Sequence, residues 1–361
     1  MRIAINTGGG DAPGLNAVIR SVALAAHNRG WEVFGIRKGY NGLFSGDPEG
    51  VVRLTPESVR GITHLGGTIL GTTNRGSPFM VPRKRKDGTV EMVDRSGDVL
   101  AAFRNWGFDC LIAVGGDGSL RLANALAQQG LNVIGVPKTI DNDLAATSVT
   151  FGFHTAVQTA SEAIGRLHST AESHRRVMVV ELMGREAGWI ALFAGLSATA
   201  DVILIPEIPY DIDRVCEKIE SRYDGEDGFA IVVVAEGARP TGGVATYKDP
   251  EPEVGAPRLG GIAERLEAEI AERTGRETRS LVLGHLQRGG EPVAYDRVLA
   301  LRFGAAAVEL ADRGCFGCMV ALDPPEVKAV PLDEAVSQLK LVPVDGDLVN
   351  TARSLGISFG D

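Results

Sequence analysis

Short apolar runs alternate along this chain with longer segments whose apolar residues recur at the spacing of one helix face. The short runs predict strands at residues 3–6, 32–36, 110–114, 133–136, 177–181, 202–205, 230–235 and 280–283. The longer segments predict helices at residues 15–28, 120–129, 155–172, 213–223, 261–273 and 297–312. Strands that are apolar on both faces are typical of a parallel sheet covered by helices. The pattern therefore predicts an α/β fold.

The predicted strands are more numerous than one ordinary sheet holds, since most sheets have about four to six strands. We therefore predict two similar lobes, each a mainly parallel sheet covered by helices, with an active-site cleft between them. Residues 79–93 depart from this pattern, because Asp87-Gly88 separates two apolar runs. This arrangement predicts a surface hairpin.

Composition and charge narrow the class of protein. The chain has 361 residues, of which 44% are hydrophobic, and its net charge of −9 argues against nonspecific nucleic-acid binding. No segment approaches the roughly 20 uninterrupted apolar residues of a membrane span, and the first residues lack the apolar stretch of a signal peptide. The four cysteines lack a second pair at metal-ligand spacing, which disfavours structural zinc. We expect a cytoplasmic protein with no nucleic-acid or membrane partner.

Two glycine clusters, at residues 8–14 and 115–119, each follow a predicted strand and precede a predicted helix. Glycines leave backbone N–H groups open to phosphate oxygens, and a helix N-terminus favours an anion, so both are candidate phosphate sites. Neither matches a Walker loop or the dinucleotide fingerprint. Each could also be only a tight turn between a strand and a helix.

Asp117 lies inside the second glycine cluster. A carboxylate there would repel a phosphate unless a cation lay between them. This placement predicts Mg²⁺, held by Asp117 and by phosphate oxygens.

The strand at residues 133–136 leads into Thr139-Ile140-Asp141-Asn142-Asp143, which we call the acid loop. Phosphoryl transfer to an alcohol needs a base near the attacking oxygen. Asp141 could be that base, and Asp143 could orient it or provide a second magnesium ligand. The alternative is a turn rich in Asp and Asn without a chemical role.

A third kind of candidate consists of basic and polar residues near predicted strand ends. Arg185 follows the strand at residues 177–181, and its guanidinium is a planar fork of donors that suits a phosphoryl group in transfer. The further candidates are Arg176, Glu236, Arg279, His285, Leu286, Gln287 and Arg288. Each alone could be a surface residue, but a shared position at strand ends favours a site.

These segments resemble the phosphofructokinase family. The matching pieces, in chain order, are residues 9–16, 115–119, 139–143, 183–185 and 284–290. They span nearly the whole chain. The glycine turns are shared with diacylglycerol and NAD kinases, whereas the acid loop and residues 284–290 are more specific.

The resemblance implies an enzyme that phosphorylates the 1-hydroxyl of fructose 6-phosphate. It implies that Asp141 is the base, that Thr139 lies beside it, and that Arg185 meets the moving phosphoryl group. The implied donor-binding residues are Gly9, Gly10, Arg75, Gly116, Asp117, Gly118 and Ser119, with Asp117 as the Mg²⁺ ligand. The implied substrate-binding residues are Thr139, Ile140, Asp141, Arg176, Met183, Gly184, Arg185, Glu236, Arg279, His285, Leu286, Gln287 and Arg288.

The resemblance also implies how the lobes and subunits share this work. Residues 1–152 and 287–337 would form the donor-binding lobe, and residues 153–286 and 338–361 the sugar-phosphate lobe. His285 and Arg288 would hold the 6-phosphate, and Glu236 the sugar hydroxyls. In the family, the equivalents of Arg176 and Arg279 reach into a neighbouring subunit's site, which implies a homodimer or homotetramer.

The phosphoryl donor would be ATP or pyrophosphate, and Gly118 and Lys138 bear on the choice. Pyrophosphate enzymes of the family have aspartate and lysine at these two positions, whereas typical bacterial ATP enzymes have glycine at both. This chain is mixed. A carboxylate at position 118 would repel the α-phosphate of ATP, and glycine leaves room for it, so we expect ATP with pyrophosphate as the alternative.

A non-catalytic sugar-phosphate sensor on the same fold is the alternative from another class, since fold alone does not settle function. A sensor would keep the arginines and lose the base or the metal ligand. Both Asp141 and Asp117 are present in this chain, which favours an enzyme.

Overall fold

The computed structural model describes residues 1–44, 49–74, 77–85, 87–223, 228–249 and 258–361. Its strands are β1 (Arg2–Thr7), β2 (Glu32–Ile36), β3 (Val51–Leu54), β4 (Val81–Lys84), β5 (Val90–Val93), β6 (Cys110–Gly115), β7 (Val133–Thr139), β8 (Phe151–Gly152), β9 (Val177–Leu182), β10 (Val202–Leu204), β11 (Ala230–Ala235), β12 (Tyr247–Asp249), β13 (Arg258–Leu259), β14 (Thr278–Val282), β15 (Cys318–Asp323) and β16 (Glu326–Pro331). Its helices are α1 (Leu15–His27), α2 (Ser96–Trp106), α3 (Asp117–Gln128), α4 (Phe153–His174), α5 (Trp189–Ser197), α6 (Ile212–Ser221), α7 (Ile262–Thr274), α8 (Ala294–Asp312), α9 (Leu332–Ala335) and α10 (Asp347–Ser354).

Contacts within the chain divide it into two compact units. Unit 1 consists of Met1–Ile140, Leu144–His154 and Arg288–Leu339. Unit 2 consists of Asp141–Asp143, Thr155–Gln287 and Lys340–Asp361. The chain therefore passes between the units several times, and the acid loop contributes residues to both. Which unit holds which substrate stays a prediction.

Unit 1 contains a sheet in the order β16-β15-β7-β6-β1-β2-β3, with β8 paired to β7. The pairs between β15 and β2 are parallel, and the outer strands β16 and β3 are antiparallel to their neighbours. The central strands β1, β6 and β7 are buried almost along their whole length. Because their carboxyl ends share one edge of the sheet, the two glycine turns and the start of the acid loop lie at that edge.

Unit 2 contains a parallel sheet in the order β10-β11-β9-β14. Strands β9 and β11 are fully buried, as their apolar sequences Val-Met-Val-Val and Ala-Ile-Val-Val-Val indicate, while β14 lies at the sheet edge. Helices α6 and α7 contribute apolar residues such as Val215, Ile219 and Leu266 to its core. The segments after β9, β11 and β14 share one edge of this sheet.

The predicted α/β class is confirmed, with mainly parallel sheets and helices. The predicted hairpin is also present, because β4 and β5 pair antiparallel with Val81 opposite Val93. Strands β3, β8, β12, β13, β15 and β16 had no counterpart among the predicted strands. Among the described residues, none of the helices combines the length and the apolar character needed to cross a membrane.

Candidate active site

The first glycine turn of unit 1 joins β1 to α1. Its backbone is tied to neighbouring segments, since the Gly8 N–H donates to the Val114 oxygen at 2.9 Å and the Gly9 N–H donates to the Thr73 oxygen at 3.2 Å. The Thr72 hydroxyl donates to the Gly9 oxygen at 2.6 Å. These hydrogen bonds to β6 and to residues 72–73 fix the conformation of the turn without a bound ligand.

The second glycine turn joins β6 to α3. A Cβ atom at Gly115 would lie 2.4 Å from the Ser119 Cβ atom, so a side chain does not fit there. Gly118 differs, because a Cβ atom at that position would meet no described atom within 4 Å outside its own helix backbone. It is exposed in the first turn of α3, where backbone N–H groups have no partner within the helix and favour an anion.

Asp117 is the first residue of α3, and its carboxylate is bound by Arg121 one helical turn later. The Arg121 Nε atom lies 3.0 Å from Oδ1 and 2.9 Å from Oδ2. Sequence reasoning missed Arg121, although its spacing of four residues from Asp117 is a signal for a helix ion pair. No cluster of three or more His, Cys, Asp or Glu side chains in the described part of the chain could hold a metal by itself. A single carboxylate beside a phosphate cradle fits Mg²⁺, which usually binds one or two carboxylates together with substrate phosphates.

Lys138 and Arg288 both contact the first glycine turn of unit 1. The Lys138 side chain is 3% exposed, and its Nζ atom donates to the Gly10 oxygen. The Arg288 Nη1 atom donates to the Asp11 oxygen at 3.1 Å and would lie 2.5 Å from a Cβ atom at Gly10. Two cations thus flank the turn predicted to bind the donor, and glycine at position 10 makes room for one of them.

The acid loop begins at the end of β7, where Thr139 is buried and its oxygen accepts from the Thr150 hydroxyl at 2.7 Å. In unit 2, Asn142 is 4% exposed and has a φ of 52°, in the left-handed region. The Lys340 Nζ atom donates to Asn142 Oδ1 at 2.9 Å, and the Lys340 N–H donates to the Asp143 oxygen at 2.8 Å. Sequence reasoning missed Lys340, which lies in no motif and follows the loop by almost two hundred residues.

Residues 183–188, which we call the arginine loop, follow β9 in unit 2. Gly184 has a φ of 139°, which side chains rarely adopt, and its oxygen accepts from the Gly237 N–H at 3.1 Å. A Cβ atom at Gly237 would lie 1.9 Å from the Arg185 oxygen, so the segments after β9 and β11 touch through their backbones. This contact brings Arg185 and Glu236 to neighbouring positions at one edge of the sheet. Arg185 is half-exposed, with its Nε atom 3.5 Å from a Glu186 oxygen.

Residues 284–288 form a 3₁₀ turn after β14, which pairs with β9. His285 and Leu286 are exposed in this turn. Gln287 is fully buried, and its amide donates to the Gly284 oxygen at 3.1 Å. The geometry thus suits His285 for a ligand at the same edge as Arg185, while Gln287 holds the turn itself.

Arg176 and Arg279 lie at the other end of this sheet. Arg176 precedes β9, Arg279 is near the start of β14, and both bind Glu277, at 2.8 Å and 2.7 Å. Strand β9 has six residues, so at about 3.3 Å per residue the two edges are about 20 Å apart. The prediction that Arg176 and Arg279 lie at the same ends of the strands as Arg185 and His285 is therefore wrong. Arg75, another expected donor-binding residue, lies outside the described residues.

The fold and these groups are those of a phosphotransferase: glycine turns open to phosphate, a carboxylate suited to Mg²⁺, a loop with two further carboxylates, and arginines at strand ends. A model of the phosphofructokinase family matches residues 2–311. The chain therefore belongs to the phosphofructokinase family, and it is an enzyme.

Individual relatives agree with this assignment. The ATP-dependent 6-phosphofructokinase of Chloroflexus aurantiacus is 51% identical over 360 residues, which cover 100% of this chain and 98% of that protein. The pyrophosphate–fructose 6-phosphate 1-phosphotransferase of Amycolatopsis methanolica is 51% identical over 348 residues, covering 95% and 96%. Among solved structures, Pichia pastoris phosphofructokinase matches with a TM-score of 0.79 and 31% identity, over 93% of this chain and 35% of that chain. This chain thus spans about a third of the Pichia protein.

Proposed function

We propose that the chain is an ATP-dependent 6-phosphofructokinase, which transfers the γ-phosphoryl group of ATP to the 1-hydroxyl of fructose 6-phosphate. Full-length relatives named ATP-dependent 6-phosphofructokinase support this function, at 51% identity in Chloroflexus aurantiacus and 49% in Synechocystis. The observation that carries the choice of donor is the open space at Gly118, in the first turn of α3. ATP has an α-phosphate that needs such space, and pyrophosphate does not.

Unit 1 supplies the groups that suit a phosphoryl donor. We assign the donor phosphates to the backbone of Gly9, Gly10, Gly116 and Gly118 and to the Ser119 hydroxyl, with Arg75 as a further predicted contact. Asp117 would hold Mg²⁺, after release from Arg121. When bound, Mg²⁺ neutralises charge on the donor phosphates and on the leaving group.

Asp141 is assigned as the general base of the transfer. It accepts the proton of the sugar 1-hydroxyl while the bond from that oxygen to the γ-phosphorus forms and the bond from phosphorus to the β,γ-bridging oxygen breaks. The products are fructose 1,6-bisphosphate, ADP and protonated Asp141. Thr139 orients the reacting groups, and Arg185 stabilises the charge on the moving phosphoryl group, for which its planar fork of donors is suited.

Unit 2 supplies the groups that suit a sugar phosphate. Glu236 would bind sugar hydroxyls and His285 the 6-phosphate, with further contacts from Met183, Gly184 and Leu286. Two residues of unit 1, Ile140 and Arg288, are also assigned to the sugar phosphate. The buried amide of Gln287 supports this set indirectly, because it holds the turn that presents His285. A donor-binding role for residues 1–152 and 287–337, and a sugar-binding role for residues 153–286 and 338–361, is part of the proposal.

A homodimer or homotetramer is also part of the proposal. Arg176 and Arg279 lie at the opposite edge of the sheet, about 20 Å from Arg185 and His285. This distance is longer than an arginine side chain, so the two arginines cannot contact the same ligand as Arg185 and His285 of their own unit. A role for both arginines in substrate binding therefore requires the site of another subunit. Molecular mass measured by light scattering tests this part directly, since a monomer that is fully active would contradict it.

Pyrophosphate is the second candidate donor, and it is favoured by Lys138, since pyrophosphate enzymes of the family have lysine at this position. The buried ammonium group lies at the first glycine turn, which is assigned to the donor phosphates. The Amycolatopsis methanolica relative that is named for pyrophosphate is as similar to this chain as the Chloroflexus one. A direct comparison of donors is therefore the necessary experiment.

The experiment measures kcat/KM for ATP and for pyrophosphate, each with fructose 6-phosphate and with sedoheptulose 7-phosphate, in the presence of Mg²⁺. We expect ATP with fructose 6-phosphate to give the largest value. A much larger value with pyrophosphate would show that our choice of donor is wrong.

Asp141→Asn is the control variant for this experiment. It keeps the shape of the side chain but removes the base, so kcat should fall by about 10²- to 10⁴-fold with every donor and acceptor. Binding of fructose 6-phosphate without turnover, in both wild type and variant, would instead support the sugar-phosphate sensor.

A further inference from the structure

The C-terminal part of unit 2 contacts both functional loops of that unit. Residues 340–342, which we call the C-terminal strap, lie beyond the residues matched by the family model, which end at 311. We propose that Lys340 is a positioning residue for catalysis: it holds the acid loop at Asn142 and Asp143 and links this loop to the arginine loop. The inference rests on the proposed function, because it concerns how Asp141 and Arg185 are held for phosphoryl transfer.

Lys340 contacts the acid loop through both its side chain and its backbone. The Nζ atom donates to Asn142 Oδ1 at 2.9 Å, and the backbone N–H donates to the Asp143 oxygen at 2.8 Å. Asn142 has a φ of 52°, in the left-handed region, which asparagine adopts more readily than most residues with a side chain. The two hydrogen bonds from Lys340 flank this turn of the backbone and hold it. Asp141 is the preceding residue, so the direction of its carboxylate depends on this backbone.

The same lysine contacts the first residue of α5. The indole N–H of Trp189 donates to the Lys340 oxygen at 2.8 Å, and the Lys340 Nζ atom lies 5.9 Å from the centre of the indole ring. Trp189 directly follows the arginine loop, and its side chain therefore fixes the strap against the end of that loop.

Glu207 makes a second link between the strap and the arginine loop. Its carboxylate accepts from the Gly188 N–H at 3.0 Å and 3.1 Å and from the Val342 N–H at 2.8 Å. Burial raises the pKa of Glu207, and hydrogen bonds from Val342 and Gly188 lower it. The acid loop is thus bound to Lys340, and the arginine loop is linked through Glu207 to Val342, two residues further along the strap.

The charge of Lys340 favours a role beyond folding. Burial lowers the pKa of Lys340 to about 8, and the nearby Asp143 carboxylate opposes this effect. A partly buried cation is a poor way to gain stability, since an apolar residue of similar volume is often as stable or more so. An apolar residue would, however, leave Asn142 without this donor, and the position of Asp141 would then be less well defined.

The test compares Lys340→Met with wild type and with Lys328→Met, a matched control. Lys328 is an exposed lysine of β16 in unit 1, paired with Asp323 at 2.9 Å. We expect Lys340→Met to lower kcat by about 10- to 100-fold, because a displacement of about 1 Å can cost on the order of 100-fold in rate. The KM for fructose 6-phosphate should change by less than about threefold, since Lys340 is not assigned to bind the sugar. Lys328→Met should leave both constants unchanged.

A double-mutant cycle tests whether Lys340 acts through Asn142. Asn142→Gly removes the acceptor Oδ1 but tolerates a φ of 52°, so this variant folds even if Lys340→Met does not. We expect each variant alone to lower kcat and the double variant to cost no more than the worse of the two, because both remove one interaction. Additive effects, or an unchanged kcat in folded Lys340→Met, would overturn the inference.

Amide hydrogen exchange at residues 141–143 separates this inference from the proposed function. It is measured in wild type and in Asp141→Asn, with and without Lys340→Met. We expect Lys340→Met to speed exchange in both backgrounds, whether or not the protein phosphorylates fructose 6-phosphate. Inactive wild type with exchange that depends on Lys340 would reject the proposed function alone, whereas exchange that is independent of Lys340 rejects the positioning role.

Discussion

The second glycine turn of unit 1 and the acid loop of unit 2 are stabilised by contacts of very different sequence range. The second glycine turn packs on Ser119, which follows it by four residues at the start of the same helix. The acid loop instead depends on Lys340, whose Nζ atom binds Asn142 across 198 residues of sequence. The packing inside the second glycine turn thus involves one strand, one turn and one helix, whereas the acid loop and its lysine partner come from distant parts of the chain.

The largest expected difference concerns steric tolerance within the second glycine turn. Gly115→Ala places a Cβ atom 2.4 Å from the Ser119 Cβ atom, and neither atom can move without shifting β6 or α3. We expect a loss of about 1 to 3 kcal/mol in the free energy of unfolding. Urea denaturation followed by circular dichroism measures this loss.

Gly118→Ala is the matched control for this prediction, because it adds the same methyl group three residues later, in open space. Alanine also has a higher helix propensity than glycine, so Gly118→Ala should be neutral or stabilising by up to about 1 kcal/mol. Equal destabilisation by both variants would show that the turn is not packed as tightly as these distances indicate.

The second prediction concerns the choice of donor at the same helix. Gly118→Asp introduces a carboxylate into the first turn of α3, where a negative charge favours the helix, so the protein should fold normally. The carboxylate should repel the α-phosphate of ATP and lower kcat/KM for ATP by about 10- to 100-fold. The value for pyrophosphate should fall much less, and equal losses for both donors would contradict the assignment of the α-phosphate to this position.

The contrast between short-range and long-range contacts also explains which features could be predicted from sequence. The glycine turns, the strands that precede them and the acid loop follow from local patterns, because apolar runs and glycine clusters determine them directly. Lys340 could not be found in this way, since a single lysine after a leucine has no distinctive pattern. The burial of Gln287 was missed for a similar reason: its position depends on how the turn after β14 packs.

The positions of Arg176 and Arg279 show another limit of sequence reasoning. Both immediately precede predicted strands, at residues 177–181 and 280–283, and therefore lie at amino ends, whereas Arg185 and His285 follow the same strands. The structure extends β14 from Thr278 to Val282, so Arg279 lies inside it near the amino end. Arg279 was grouped with His285 because the sequence reasoning treated both ends of a strand as equivalent, although only the carboxyl ends share the edge that holds His285.

The smallest expected effect is a pH dependence that arises from Lys340. Burial lowers its pKa from 10.5 to about 8 in the folded protein, and the Asp143 carboxylate limits this fall. Between about pH 8 and pH 10.5 the unfolded chain therefore holds a proton that the folded chain has released, and the contribution of Lys340 to stability rises with pH.

Activity should change in the opposite direction if the charged lysine positions the acid loop. Loss of the proton weakens the hydrogen bond to Asn142, so kcat should fall by less than about tenfold as pH rises through about 8. Lys340→Arg keeps its charge at this pH and should retain activity in the alkaline range, while Lys340→Met should be slow at every pH. A kcat that rises together with stability above pH 8 would mean that the charge of Lys340 does not position the acid loop for catalysis.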